Sequence, residues 1–323
     1  MRRAFAAALA LVLSVGAHKG WDWDLPGGVA PPPVPAANAM TAARVELGRR
    51  LFYDADLSAD GTMACAACHE QRRAFADGNA TRPGVHGDPG RRNVPGLANV
   101  AWFPRLTYAD PHVTTLEAQV LVPLIGERPV EMGLKGLEAQ LPRRLGADPC
   151  YRRMFRKAFP ERDGAIDTAS VSAALAAFER TMISFRSRHD EGPAAMTPDE
   201  LRGLAAFRQA GCASCHSGPL LTDLAYHRLS GVEDRDPGLI ENTGRAEDAG
   251  RFRTPSLRNV AVTGPWWHDG SAKTLAQAIA RHPAAPPTET IASLTAYLGT
   301  LTDARFLNDP RLSRPDEACG KRL

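Results

Sequence analysis

Two pentapeptides, Cys65-Ala-Ala-Cys68-His69 and Cys212-Ala-Ser-Cys215-His216, lie 147 residues apart in a chain of 323. Cys-x-x-Cys-His is the attachment sequence of c-type haem. The two thiols add across the porphyrin vinyl groups as thioethers, and the following His is held beneath the iron as proximal ligand. The alternatives fit poorly. A redox dithiol needs neither the His nor a second copy, and a zinc ribbon sets its two Cys-x-x-Cys pairs roughly 15 to 20 residues apart. The pattern therefore predicts two covalent haems, on His69 and on His216.

Composition agrees with an exported redox protein. Arg2-Arg3, an apolar run from Ala4 to Val15 and Gly16-Ala17 read as a secretory signal peptide over residues 1–17. The run is shorter than the roughly 20 residues that span a bilayer, so the expectation is a soluble periplasmic protein without a membrane anchor. Haem attachment of this kind takes place outside the cytoplasm, in keeping with such a signal. Loss of Arg2 and Arg3 takes the formal net charge from +3 to +1, which argues against nucleic acid as a partner. Cys150 and Cys319 remain; in an oxidising compartment they either pair as a disulfide or stand as two thiols.

The elements that must position these motifs read as mostly α. Residues 18–40 contain a Gly- and Pro-rich stretch from Gly27 to Pro35 and read as an extended arm. Helical faces follow at Val45, Leu47, Leu51 and Phe52, at Leu134, Leu137, Leu141 and Leu145, and at Val171, Leu175, Phe178, Met182 and Phe185. Thr197-Pro198-Asp199-Glu200 starts a helix with a cap, Pro at the first position and a capping-box Glu. Arg92 to Val100 resembles Arg253 to Val260, and each stretch is followed by a Thr-Leu pair, Thr115-Leu116 and Thr274-Leu275. That internal repeat predicts two cytochrome c-like domains, residues 41–190 and 191–323, each carrying one covalent haem.

Beyond the two haem motifs, Leu116-Glu117-Ala118-Gln119, Pro129-Val130-Glu131-Met132, Thr254-Pro255-Ser256-Leu257-Arg258-Asn259-Val260 and His268-Asp269-Gly270 resemble the bacterial di-haem cytochrome c peroxidase and MauG superfamily. Trp21 to Pro26, Leu47 to Tyr53 and Phe306 to Arg311 are similar to its MbnH-like branch. The resemblance implies that peroxide reacts at the His69 haem and that the His216 haem stores and relays electrons. It makes Glu131 the distal acid/base, with Glu127 as a rival because the interval from Gln119 is two residues longer than usual. Gln119 and Pro123 become distal-pocket residues. His86 lies where some relatives keep a ligand that caps the peroxidatic iron at rest. His282 stands where relatives place the sixth ligand of the second haem, Met in peroxidases and Tyr in MauG-like proteins, with His268 and His227 as rivals. Tyr108, or Trp102, takes the place of an aromatic relay between the haems, and Trp266 and Trp267 read as packing. Asn93, Thr263 and Pro265 match the ligands of a structural Ca²⁺.

The function these expectations favour is an enzyme that converts hydrogen peroxide into high-valent iron at the His69 haem and oxidises a residue of a partner protein, docked near the His216 domain, through the His216 haem. The runner-up is a peroxidase that reduces peroxide to water with electrons from a small cytochrome or cupredoxin. A third is a non-catalytic di-haem electron carrier, against which Gln119 and Glu131 weigh, because a carrier needs no proton-handling pocket.

Overall fold

The computed structural model describes residues 21–229, 235–283 and 285–322. The expected signal peptide and the first residues of the arm lie outside them. The longer helices are α1 (Ala42–Phe52), α2 (Leu116–Ile125), α3 (Pro149–Ala158), α4 (Thr168–Glu179), α5 (Pro198–Gln209), α6 (Leu275–Ala280) and α7 (Thr288–Gly299). Strand is confined to two-residue pairs, one of them joining Tyr226–His227 to Phe252–Arg253.

Helix starts follow local chemistry. Thr41, Thr115 and Thr274 accept backbone N–H groups at the starts of α1, α2 and α6. Thr197 and Glu200 form the expected capping box of α5 with Pro198 at its first position, and Asp167 and Ser170 form one at α4. Each box satisfies backbone donors that a helix start otherwise leaves exposed.

Two expected helical faces are modified. Gly133 and Gly136, at φ +71° and +80°, and Pro142 break the Leu134–Leu145 segment into turns around a single α-helical turn, Leu141–Arg144. Leu134, Leu141 and Leu145 are nevertheless buried. Helix α4 ends at Glu179, so Met182 and Phe185 are buried from the extended segment beyond it.

The halves repeat one another in detail. α1 crosses α4 at Gly48, where a Cβ would stand 1.9 Å from the Ala174 carbonyl oxygen. α5 crosses α7 at Gly203, where a Cβ would stand 1.9 Å from that of Ser293. Asn99 and Asn259 both take φ +61° at the start of a 3-10 turn, a left-handed conformation that Asn tolerates better than most residues. The Asn99 amide N–H donates to Met182 O and that of Asn259 to Leu301 O. Their side chains meet in the middle: Asn99 Oδ1 accepts from Ser184 N at 2.8 Å, Asn259 Oδ1 accepts from Asp303 N at 2.8 Å, and Asn259 Nδ2 donates to Ser184 Oγ at 2.9 Å. Asn99, Ser184, Asn259 and Asp303 are all buried.

Two apolar clusters flank this network. Leu47, Leu51, Phe52, Phe75, Phe155 and Phe178 anchor one, and Phe207, Leu275, Leu294, Tyr297 and Leu301 the other. The C-terminal tail returns to the first cluster through Phe306 and Leu312. Arg49 donates to Ser313 O and Pro310 O, and Tyr53 Oη to Leu312 O. Cys150 and Cys319 form a disulfide with Cα atoms 5.8 Å apart.

Asn259→Ala leaves the Asp303 N–H without its partner in a dry interior and removes the bond from Asn259 to the Ser184 hydroxyl, which keeps only its bond to Asp303 Oδ2. It is expected to cost about 2–4 kcal/mol, read as a lower denaturation midpoint of the haem-loaded protein. An unchanged midpoint would mean that other contacts hold the halves together.

Candidate haem sites

The second motif follows α5. Cys212–Ser214 forms a 3-10 turn, and the His216 N–H donates to Cys212 O at 2.9 Å, which turns both thiols and the imidazole toward one cavity of about 690 Å³. That volume falls within the range of cofactor pockets. His282, just beyond α6, stands at its exposed rim. His216 Nδ1 lies 3.4 Å from Leu221 O and His282 Nδ1 lies 3.0 Å from Ala278 O, so a backbone carbonyl orients each ring through Nδ1 and leaves Nε2 as the ligating nitrogen. The ring centroids are 6.5 Å apart. Two imidazoles that ligate one metal from opposite sides, at about 2 Å each, have centroids roughly 6 Å apart. Burial, and then the neighbouring His282, lower the His216 pKa to about 4, which keeps the ring in its neutral, ligating form.

The rival imidazoles also line this cavity, and each has a contact of its own. His268 stacks on Phe252 with centroids 3.8 Å apart. His227 gives its Nε2 to Asp223 Oδ2 at 2.7 Å.

The cavity suits a haem in its charges as well as its shape. Arg253 is buried on its lining, and its guanidinium donates to the backbone oxygens of Thr107 and Thr254. Among the described residues it has no carboxylate partner, and burial lowers its pKa. A buried guanidinium without an anion fits a cofactor that brings two propionates. Trp267 Nε1 and Tyr226 Oη are buried nearby without hydrogen-bond partners among the described residues.

The first motif forms a one-turn helix, Cys65–Cys68, with the His69 N–H on Cys65 O. His69 Nδ1 bonds Phe75 O at 2.6 Å, and burial lowers the His69 pKa. The expected distal residues come from α2 and the loop after it. Gln119 and Pro123 are one turn apart on α2, and Pro123 O accepts the Met132 N–H at 2.9 Å, which brings Glu131 beside Pro123. Val85 N donates to Glu131 O at 2.7 Å and pins the same loop from the other side. Glu131 is half-buried, and burial raises its pKa. Its charge acts on both Cys65 and Cys68. Glu127 is exposed.

His86 is exposed, with Nε2 3.1 Å from where a Cβ on Gly133 would stand. Among the described residues it makes no ring contact with His69, whose nearest aromatic neighbour is Phe52 at 6.4 Å. Of the two relay candidates, Tyr108 lines the cavity, and its carbonyl accepts the Arg253 N–H at 2.8 Å. Trp102 donates Nε1 to Ala30 O and packs edge-on to Phe185 under the arm. Trp266 and Trp267 both line the cavity, Trp267 with its ring 5.6 Å from His282. Asn93, Thr263 and Pro265 reach the same cavity, and Asn93 commits its amide nitrogen to Asn79 O and Ala80 O. Its amide oxygen is the atom a Ca²⁺ would take.

One carboxyl at the first site escaped the sequence reading. Glu179 closes α4, is 5% exposed and has its pKa pushed up to about 8, chiefly by burial. It is felt at Cys65. Glu179 lies next to Phe178 in a stripe that periodicity assigns to packing.

The sequence profile of the family described as di-haem cytochrome c peroxidase matches residues 42–195. Cytochrome-c peroxidase IdrP1 of Denitromonas iodatirespirans is 34% identical over 315 residues, covering 85% of this chain and 82% of its own. Methylamine utilization protein MauG of Methylophilus methylotrophus is 33% identical over 254 residues, covering 75% and 73%. The crystal structure of a MauG-like protein associated with microbial copper homeostasis superposes with a TM-score of 0.85 at 37% identity, over 92% of this chain and 99% of that one. With its two attachment motifs, its mostly helical fold and relatives of this extent, the chain belongs to the di-haem cytochrome c peroxidase and MauG family of haem oxidoreductases that act on peroxide.

Proposed function

We propose that this protein is an exported, periplasmic enzyme that takes hydrogen peroxide at the His69 site and uses its oxidising power, through the His216 site, to oxidise a residue of a partner protein in the MauG-like and MbnH-like manner. The observation that carries the reading is the difference between the sites. His282 faces His216 across the cavity, whereas His69 has no imidazole facing it among the described residues. A centre that admits peroxide needs one accessible face, and a centre that only passes electrons works with both faces held.

Bound haem supplies the redox-active iron at both sites. The chain's residues do the rest. His69 is oriented by Phe75 O, a bond that also strengthens it as a donor. Glu131 takes the proton from the near oxygen of peroxide and returns it to the far oxygen, which leaves as water. Gln119 holds the peroxide with its amide, and Pro123 keeps the Glu131 loop in place. Tyr108, beside Arg253, relays electrons between the sites, with Trp102 kept to packing. His282, unlike Met, favours the oxidised state of the second centre. Asn93 with the carbonyls of Thr263 and Pro265 holds a Ca²⁺ that stiffens the cavity wall. The partner docks over the His216 domain.

A second reading, a peroxidase fed by a small cytochrome or cupredoxin, draws support from relatives named as cytochrome c peroxidases. Under it, peroxide consumption depends on a reduced donor. Under the favoured reading, peroxide alone modifies the partner, with the product read by mass spectrometry.

Glu131→Gln is expected to slow the reaction with peroxide roughly 10²- to 10⁴-fold, while Glu127→Gln leaves it near the parent rate by stopped-flow spectroscopy. The ionised Glu131 must accept the proton and its pKa is raised. The rate should therefore fall on acidification at a higher pH than an ordinary Glu gives, and Glu131→Gln should remove that fall. His282→Met is expected to raise the potential of the second haem in a spectroelectrochemical titration. An unchanged potential would exclude His282 as its ligand.

A further inference from the structure

The repeat between the halves can be read residue by residue at α4 and α7. Gly48 meets Ala174 and Phe178 where Gly203 meets Ser293 and Tyr297. Met182 O serves Asn99 as Leu301 O serves Asn259, and Ser184 N serves Asn99 Oδ1 as Asp303 N serves Asn259 Oδ1. All four equivalences share one offset, so Glu179 corresponds to Leu298 and Arg180 to Gly299. Leu298 lines the cavity of the second site. The scaffold is therefore built in one half with an apolar side chain and no side chain at these positions, and needs no ionisable pair there. In the other half it carries a carboxyl and a guanidinium, 5% and 3% exposed.

The surroundings of the pair are unusual. Arg180 Nη2 bonds both oxygens of Glu117 at 2.8 and 2.9 Å, and Glu117 also takes Asn38 Nδ2 at 2.6 Å. The guanidinium is thus already matched by Glu117, a partly exposed carboxylate on α2. Glu179 Oε2 and Arg180 Nη1 are both buried without hydrogen-bond partners among the described residues. The charged or titratable groups that act on Glu179 are Arg180 at the end of its own helix and Glu117 from α2. Cys65 of the motif helix feels it in turn. α1 presents Gly48 and the apolar Leu51 and Phe52.

We propose that Glu179 is a proton-holding carboxyl of the His69 site that releases its proton when the haem there loses an electron, so that the charge of the buried site stays constant. The proposal rests on a haem being attached at His69. The step balances: a haem held at His69 would give one electron to a one-electron chemical mediator, and Glu179 would give one proton to solvent. The carboxylate that forms lies in the field of the Arg180 guanidinium, which acts on Glu179 from the end of the same helix. Burial raises the Glu179 pKa to about 8, which leaves the carboxyl protonated at neutral pH before oxidation. Leu298 gives the second site no such group, so its oxidation carries no matching proton.

The test is a spectroelectrochemical titration of the holoprotein at pH values from 5 to 9, following each haem separately and without peroxide or partner. In the parent, the oxidation equilibrium of the His69 haem should shift tenfold per pH unit over part of that range, about 59 mV, and that of the His216 haem should not. Glu179→Gln should flatten the first dependence while leaving two haems per chain. Glu179→Asp should retain it over a displaced range, and it serves if the Gln variant loads haem poorly. A slope that persists in Glu179→Gln, or that vanishes instead in Glu131→Gln, would overturn the proposal. Because no peroxide chemistry is read, that failure is distinct from failure of the proposed function.

Discussion

Four buried polar side chains, Asn99, Ser184, Asn259 and Asp303, set the geometry on which the rest of the structure depends. Each half turns a left-handed corner at its Asn, where a 3-10 turn begins. The corner leaves backbone donors and acceptors facing the interior, where each unpaired group would cost about 1–3 kcal/mol. The two Asn side chains accept the N–H groups of Ser184 and Asp303 in the segments that pass beside them, and Ser184 joins one corner to the other. The halves are therefore locked in a fixed relation. The second cavity is accordingly lined by residues of both, among them Asn93, Tyr108 and Phe103 from the first and Arg253, His216 and His282 from the second.

On this near-symmetric scaffold the chemistry is asymmetric. The second half supplies an imidazole opposite its motif His and apolar Leu298 where the helix meets the cavity. The first half supplies Gln119, Pro123 and Glu131 from α2 and its following loop, and Glu179 with Arg180 where its partner half has Leu298 and Gly299. Arg253 belongs to the second half yet donates its Nε to Thr107 O and its backbone N–H to Tyr108 O. The relay candidate is thus held by the residue that also awaits an anionic cofactor group. The two halves share a backbone plan and differ in the residues they carry at these positions.

Much of this was legible because the signals are local. A Cys-x-x-Cys-His motif carries its whole chemistry in five residues, and the Thr197 to Glu200 capping box carries a helix start in four. What could not be read was non-local or depended on backbone breaks. Leu134 to Leu145 has helical spacing, but two left-handed glycines and Pro142 break the helix while leaving the leucines buried. The tail's return to α1, with the disulfide between Cys150 and Cys319, depends on a path that spacing does not encode. Tyr108 and Trp102 are alternatives on sequence, and spacing does not show that Tyr108 lines the cavity while Trp102 packs under the arm. Glu179 was hidden in an apolar stripe. A closer comparison of Phe178-Glu179-Arg180-Thr181 with Tyr297-Leu298-Gly299-Thr300 would have exposed it.

We infer that, with haem bound at both motifs, one iron would be held by His216 and His282 together and the other by His69 alone. Low-temperature EPR of the fully ferric protein tests it most directly. One low-spin signal with the character of two imidazole ligands and one high-spin signal are the predicted result. Two low-spin signals would contradict the claim, because a second side chain, His86 foremost, would then close the site that peroxide must enter.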